Sequence, residues 1–155
     1  MKKSRGFSLI ELVIIIVTLS LVAVIAIPRL ISLTSAAKTS ALESFGATLS
    51  SASRLTYHQA VIEDKDNLDS SIDPEVSGIK IHYGFPIAHA AGIGTSVHGI
   101  GSDFFELSSH IESIDNEVIV YGFASDDPQD KCVVVYKTNG KNPPTIRTPD
   151  ETDCS

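Results

Sequence analysis

The feature that most limits how this chain can fold is a predominantly apolar segment, Phe7–Ile27, that directly follows a short basic stretch. As a helix, its 21 residues would be about 31 Å long, which matches the roughly 30 Å hydrocarbon core of a bilayer. The basic residues Lys2, Lys3 and Arg5 predict a cytoplasmic N-terminus and an exported remainder. An ordinary secretory signal has a shorter apolar core, and the small residues Ser35–Ala37 lie too far downstream for its cleavage site. We therefore expect a membrane helix that stays on the mature protein.

A single carboxylate, Glu11, interrupts the apolar segment one helical turn after Phe7. A lone charge at the centre of a membrane helix costs about 2.5–3.5 kcal/mol, and such residues usually have a function. Cleavage after the small residue Gly6 would give Phe7 a free α-amine. That amine could pair with Glu11 within one chain or between neighbours, where the pair would set the axial offset of two helices. A plain membrane anchor, with Glu11 reaching the interface, is an equally good interpretation of these residues alone.

The sequence Gly6-Phe7-Ser8-Leu9-Ile10-Glu11, between a basic leader and an apolar helix, resembles the signature of type IV pilins. The resemblance implies that a prepilin peptidase cleaves between Gly6 and Phe7 and methylates the new amine of Phe7. It also implies that Glu11 pairs with the Phe7 amine of a neighbouring subunit and that the helix bends at Pro28. The pseudopilins of type II secretion systems share this motif, and they stay as the alternative function. A monomeric, membrane-anchored periplasmic binding domain with an uncleaved N-terminus is a third hypothesis.

Beyond Pro28, which should kink the helix, the apolar residues keep a helical spacing as far as Ile62. The predicted apolar stripe consists of Leu30, Leu33, Ala37, Ala41, Phe45, Leu49, Ala52 and Leu55. From Ala36 onward we expect this stripe to pack on the chain's own head domain, and the polar cluster Glu63–Asn67 ends the pattern. The predicted organisation is a leader (1–6), a transmembrane or filament-core helix (7–28), the second half of a spine helix (29–62) and a globular head (63–155).

Within the head, alternating or continuous apolar runs predict strands at 79–83, 118–123 and 132–137. Residues 126–130 are predicted to form a hairpin loop, 63–77 an irregular loop and 142–155 an irregular tail. Proline, glycine and capping residues predict short helices at 85–92 and 102–107. The expected fold class is α+β. The pilin resemblance implies a small antiparallel sheet against the second half of the long helix.

The two cysteines, Cys132 and Cys154, predict a single disulfide, because an exported domain is oxidised. The alternative is a pair of free buried thiols in a cytosolic protein. Together with Gly84–Ala88 and the strand that begins at Cys132, they resemble the mannose-sensitive haemagglutinin (MSHA) type of pilin. This resemblance implies a fibre for surface attachment, held first in the inner membrane with a periplasmic head and then extracellular. The implied partners are copies of itself, other pilins, the assembly machinery and glycans of a host or surface.

Charge and motif spacing disfavour several other functions. From residue 63 onward seventeen Asp and Glu oppose six Lys and Arg, a balance of −11, which repels nucleic acid as a main ligand. The histidines lack zinc-site spacing, and the acidic groups near Asp64 and Asp126 lack the glycine and glutamate of an EF-hand loop. No nucleophile or phosphate-loop motif is present in the sequence. We expect no enzyme activity, no metal and no cofactor.

Overall fold

The computed structural model describes residues 8–113, 116–127, 131–150 and 152–154. In these ranges the chain is an α+β protein whose long N-terminal helix packs on antiparallel sheets, which confirms the predicted fold class at that level. The elements in chain order are α1 (Leu9–Ile62), β1 (Glu75–Val76), β2 (Ile79–His82), β3 (Phe85–Pro86), α2 (Ile93–Ser96), β4 (Phe105–Ser113), β5 (Asn116–Gly122), β6 (Val134–Asn139) and β7 (Asn142–Arg147). A 3₁₀ helix, Ser70–Ile72, precedes β1.

The described strands form two antiparallel sheets, one ordered β1-β2-β3 and the other β4-β5-β6-β7. In the larger sheet β5 and β6 are central, and Ile119 of β5 pairs with Tyr136 of β6. Both side chains are fully buried, and along β6 buried residues alternate with half-buried ones. This period of two is typical of a strand with one face on the core. The strands predicted at 79–83, 118–123 and 132–137 are confirmed as β2, β5 and β6, with shifted ends.

The half of α1 that packs on the head buries a stripe of residues spaced by three or four positions. Its members are Thr39, Leu42, Phe45, Leu49, Ser53, Thr56 and Ala60. From Ala36 onward, where the stripe is expected to pack on the head, the prediction is correct at Phe45 and Leu49 but wrong at Leu55, which is 69% exposed. Thr39 and Thr56 take buried positions because each hydroxyl donates to a helix carbonyl one turn earlier, which satisfies the polar atom inside its own helix.

An aromatic cluster joins α1 to the larger sheet. The ring of Phe45 stacks on that of Phe104, with centroids 4.2 Å apart, and meets the edge of Tyr121 at 5.5 Å. Phe45 is 4% exposed and Tyr121 is fully buried. Aromatic pairs with such geometry contribute about 0.5–1.5 kcal/mol each beyond the area they bury. Phe45 therefore connects the spine helix to the aromatic part of the head core.

Gly46, the next residue of α1, lies where the helix comes closest to the C-terminal segment. A Cβ atom built on Gly46 would overlap Thr148 Cγ2 and lie 3.7 Å from Ile146 Cγ2. Side chains larger than a hydrogen therefore do not fit unless Thr148 moves. The absence of a side chain at this position brings the helix and the segment after β7 together.

The helix α1 is continuous past Pro28. Proline lacks the amide proton for one helical hydrogen bond and crowds the preceding turn. A bend at Pro28 stays a prediction.

A two-residue turn connects β2 and β3. Its residues, Tyr83 and Gly84, both have positive φ angles, of 48° and 81°. Positive φ at both central positions is typical of the type I′ turn, whose twist matches that of a hairpin. The short helix predicted over 85–92 is therefore wrong: the chain continues from this turn as strand β3, and α2 begins only at Ile93.

The helix predicted over 102–107 is also wrong. Gly99 and Gly101 have φ angles of 97° and 88°, and the N–H of Asp103 donates to Gly99 O at 3.0 Å, which closes a tight turn. Since left-handed backbone does not continue into an α-helix, the chain leaves this turn extended. It enters β4 at Phe105, opposite Gly122 of β5.

The tail predicted as irregular contains the strand β7, which pairs antiparallel with β6. Pro143 and Pro144 lie where the register of this edge strand shifts, between Asn142 and Thr145, so no pair of the ladder requires their missing donors. Gly140, with φ of 57°, lies in the tight connection between β6 and β7. The low-periodicity sequence of 142–147 thus folds as a strand because of its neighbour and its turn.

The cysteines Cys132 and Cys154 form a disulfide, as the sequence predicts, with Cα atoms 4.7 Å apart. The tail is joined to the spine as well, since Ser35 Oγ donates a 2.7 Å hydrogen bond to Cys154 O. Closing a loop across 22 positions contributes about 3 kcal/mol on the loop-entropy estimate. The C-terminal segment is thereby fixed both to the sheet and to the helix.

Candidate assembly surface and head cleft

The N-terminal part of α1 presents an apolar surface without a partner in the single chain. We call residues 8–24 the apolar spine segment: every side chain in it is exposed, and twelve are large and apolar. Their exposed fractions run from 42% at Ile15 to 79% at Leu9. Full burial of such a side chain contributes about 1.5–3 kcal/mol, so partial burial of twelve contributes roughly 10–20 kcal/mol. Exposed apolar surfaces of this extent mark protein or membrane interaction sites.

The hydroxyl groups of the apolar spine segment are satisfied within the helix. Thr18 Oγ1 donates to Ile14 O at 3.0 Å, and Ser20 Oγ donates to Ile16 O at 2.7 Å. Hydroxyls that bond to their own helix can enter an apolar environment without losing a partner. Thr18 and Ser20 therefore do not oppose burial of this segment in lipid or in protein.

Glu11 makes a hydrogen bond at the start of its own helix. Its Oε2 accepts the backbone N–H of Ser8 at 3.0 Å, and the two residues form a capping box. A carboxylate in the first turn also interacts favourably with the helix dipole. The spacing Ser8-x-x-Glu11 is a capping signal that is visible in the sequence alone. Glu11 thus has a local role in addition to the predicted pairing with an amine.

The predicted cleavage residues Gly6 and Phe7 lie outside the described residues, so the pairing of Glu11 with the Phe7 amine stays a prediction. In the part of the chain that the structure describes, no helix combines the length and hydropathy needed to cross a bilayer.

A cleft of about 390 Å³ opens in the head between the 3₁₀ helix, β2, the segment after β3 and the start of β5. Ile81 and Ile87 form an apolar wall, whereas Lys80 and Glu117 are its principal charged groups. Lys80 Nζ lies 2.8 Å from Asp73 Oδ1, so its charge already has a partner. The cleft is large enough for a small organic ligand.

Glu117 is the half-buried carboxylate of this cleft. Its Oε2 accepts the backbone N–H of Ala88 at 3.2 Å, a contact that holds the segment after β3 against β5. Burial raises the pKa of the Glu117 carboxyl above its ordinary value of 4.5, while the Ala88 N–H and the nearby His82 and His89 oppose the rise. Among the described residues no Lys or Arg forms an ion pair with Glu117. Its sequence context, at the beginning of an apolar strand, gave no signal of a site.

Acidic residues in the head loops bind backbone groups of their own turns. Asp69 Oδ1 accepts the N–H of Ser71 at 2.7 Å and thereby caps the 3₁₀ helix. The Ser71 N–H and the Ser71 and Tyr83 hydroxyls hold the pKa of the Asp69 carboxyl below its ordinary value. Asp150 Oδ1 accepts from the backbone N–H and the hydroxyl of Thr152, which lower its pKa in the same way. The segment predicted as loop over 63–77 therefore contains local structure, with Asp69 as its cap.

Another aspartate, Asp126, links the loop after β5 to the spine. Its Oδ2 accepts the N–H of Phe123 at 2.8 Å, and its Oδ1 lies 3.6 Å from Lys38 Nζ of α1. Residues 126–127 lie in the connection between the antiparallel strands β5 and β6, where the sequence predicts a hairpin loop. Residues 128–130 of the predicted loop are outside the described residues.

Comparison of the chain with protein families, with curated proteins and with solved structures gives no match.

Proposed function

We propose that the chain is the precursor of a type IV pilin, most like the MSHA type, whose mature form polymerises through its N-terminal helix into an extracellular fibre. The observation that carries the proposal is the division of α1 into an exposed apolar half and a half packed on an antiparallel head. The motif from Gly6 to Glu11 supports it independently. The fibre serves in attachment to surfaces.

The physical logic of assembly follows from the apolar spine segment. This segment first enters the inner membrane and later packs among the same segments of other copies, both of which remove its side chains from water. The small residues that continue the helix allow close approach of neighbouring helices. The head stays outside this helical core, because its own packing already buries its share of α1.

Glu11 has two roles in this proposal. The hydrogen bond from Ser8 engages one carboxylate oxygen, Oε2. The other oxygen receives the Phe7 amine of a neighbouring subunit, which compensates two charges inside an apolar bundle. A helix that slides by one turn loses this pair, so Glu11 sets the offset between subunits.

The alternative, a pseudopilin of a type II secretion system, has the same N-terminal motif. The disulfide between Cys132 and Cys154 favours the pilin, since type IV pilins often close their C-terminal region in this way. Fibres of this chain that extend from the cell surface, together with normal secretion in cells that lack it, would indicate the pilin and not the pseudopilin.

The leader assignment is tested by the intact mass of the native protein. We expect a mass that lacks residues 1–6, gains one methyl group and lacks the two hydrogens of the disulfide thiols. The variant Gly6→Val should accumulate with its leader, since a branched side chain obstructs the cleavage site. A native protein that retains Met1–Gly6 would contradict the proposal.

The role of Glu11 is tested by two substitutions that separate its charge from its cap. Glu11→Gln keeps an oxygen that accepts the Ser8 N–H but loses the charge, whereas Glu11→Ala loses both. We expect both variants to lower the amount of fibre on electron micrographs, with the control Glu43→Gln, an exposed position on the same helix, unchanged. Normal fibres from Glu11→Gln together with poor fibres from Glu11→Ala would show that the cap matters and the charge does not.

A further inference from the structure

We propose that the head cleft binds a primary ammonium group on a short alkyl chain, with Glu117 as its counter-ion. All residues that line the cleft belong to the head, from Ser70 to Glu117, and none belongs to the spine helix. Ligand binding in the cleft is therefore independent of the proposed assembly through the apolar spine segment.

The charge of the cleft favours a cation. Lys80 is paired with Asp73 at 2.8 Å, so among the described residues Glu117 has no Lys or Arg partner, and only His82 and His89 lie near enough to oppose its negative charge. In the described part of the chain, the side chain of Glu117 accepts a hydrogen bond from the Ala88 N–H at Oε2, and the ligand ammonium is assigned to Oε1. A half-buried carboxylate that has lost water gains from a positively charged donor, and its raised pKa is the sign of that uncompensated burial.

The shape of the cleft favours an alkyl chain next to the charge. Ile81 and Ile87 line one side and Ala91 lies close by, so a chain of a few methylene groups would contact apolar atoms while the ammonium meets Glu117. An anion would face Glu117 and Asp73 directly. A neutral alcohol of the same length would fit the wall but leave the carboxylate uncompensated.

The test uses the full chain, isotope-labelled in detergent micelles, with n-butylammonium chloride as the probe and n-butanol as its neutral control. We expect saturable shifts of the Ala88 and Glu117 amide resonances with the amine and none with the alcohol. Glu117→Gln keeps the acceptor for Ala88 but removes the charge, and it should weaken binding about tenfold. Glu43→Gln, the same substitution at an exposed position outside the cleft, should bind like the wild type.

A second variant keeps the test decisive if Glu117→Gln disturbs the fold. Ala91→Leu adds apolar volume at the cleft without touching a charge, so it should abolish binding by filling the space. Equal shifts with the alcohol, full binding by Glu117→Gln or full binding by Ala91→Leu would each overturn the proposal.

The source of the ammonium is distinguished by a third probe, Nα-acetyl-lysine methylamide, which stands for a lysine side chain of another protein. Binding of both amines assigns the cleft to a protein side chain, since the peptide groups are then tolerated at its mouth. Binding of butylammonium alone assigns it to a free alkylamine. The absence of binding by either amine overturns the proposal.

Discussion

Gly46→Ala tests how closely the spine helix approaches the C-terminal segment. Alanine in place of glycine inside a helix stabilises by about 1 kcal/mol when nothing obstructs it. Here the new methyl group would overlap Thr148 Cγ2, and overpacking of a buried contact costs about 1–3 kcal/mol. We therefore expect Gly46→Ala to lower the free energy of unfolding by about 1 kcal/mol.

The variant Thr148→Ser separates the two contributions, because it removes the Cγ2 methyl group and keeps the hydroxyl. In that background Gly46→Ala should raise the free energy of unfolding by about 1 kcal/mol, since only the helix propensity then changes. The double-mutant cycle should accordingly give a coupling of about 2 kcal/mol between the two positions.

The assay is urea unfolding of the full chain in detergent, followed by far-ultraviolet circular dichroism and by tyrosine fluorescence. The four proteins should share one m value, so that shifts in the midpoint report stability alone. If Gly46→Ala stabilised the chain equally with Thr148 and with Ser at position 148, the close contact between α1 and the segment after β7 would be refuted.

Two further perturbations address the head. Because the folded-state pKa of Glu117 is raised, the folded chain keeps the carboxyl proton to a higher pH than the unfolded chain does. The contribution of Glu117 to stability is therefore lost as the pH rises above 4.5. Glu117→Gln should therefore be more stable than the wild type at pH 7, with the difference shrinking towards pH 4.5 in urea titrations; a constant difference would contradict the burial argument. Replacing both Cys132 and Cys154 by Ser should cost roughly 3 kcal/mol and speed hydrogen exchange in the tail, for example at Asp153, whose N–H donates to Asp150 O. Unchanged exchange there would show that the hydrogen bond to the spine holds the tail without the disulfide.

The elements that the sequence predicted correctly are those with a strong local signal. The long helical period marks α1, and the continuous apolar runs mark β5 and β6, the two central strands of the larger sheet. The disulfide was predicted from two cysteines and the expectation that the domain is exported, and the structure contains it. The cap formed by Ser8 and Glu11 was also present in the sequence as a capping box and was overlooked.

The elements that were mispredicted depend on backbone conformation or on distant partners. Tyr83 adopts positive φ in a turn where Asn is the usual signal, so β3 could not be seen from its residue types. Pro143 and Pro144 argue against a strand unless the neighbour β6 is known, because only an edge position tolerates them. The alternation of apolar and hydroxyl residues along α1 shifted the predicted stripe to Leu55, which is exposed.

The cleft could not be predicted because its walls come from four separate parts of the chain. The residues that meet there, from Ser70 to Glu117, share no motif and no common spacing. Glu117 becomes unusual only through the backbone N–H of Ala88 and the burial that the fold imposes. Such a site depends on tertiary structure, and a single sequence carries no local trace of it.

The strand edges of the larger sheet have a consequence for crowding. Pro143 and Pro144 interrupt the row of donors along β7, while the other edge, β4, is irregular between Glu106 and Ser108 and again between Ile111 and Ser113. Proline and bulges at exposed edges prevent sheets of different molecules from pairing edge to edge. In the proposed fibre, neighbouring heads at very high local concentration thus touch through their side chains without fusing into an amyloid-like ribbon.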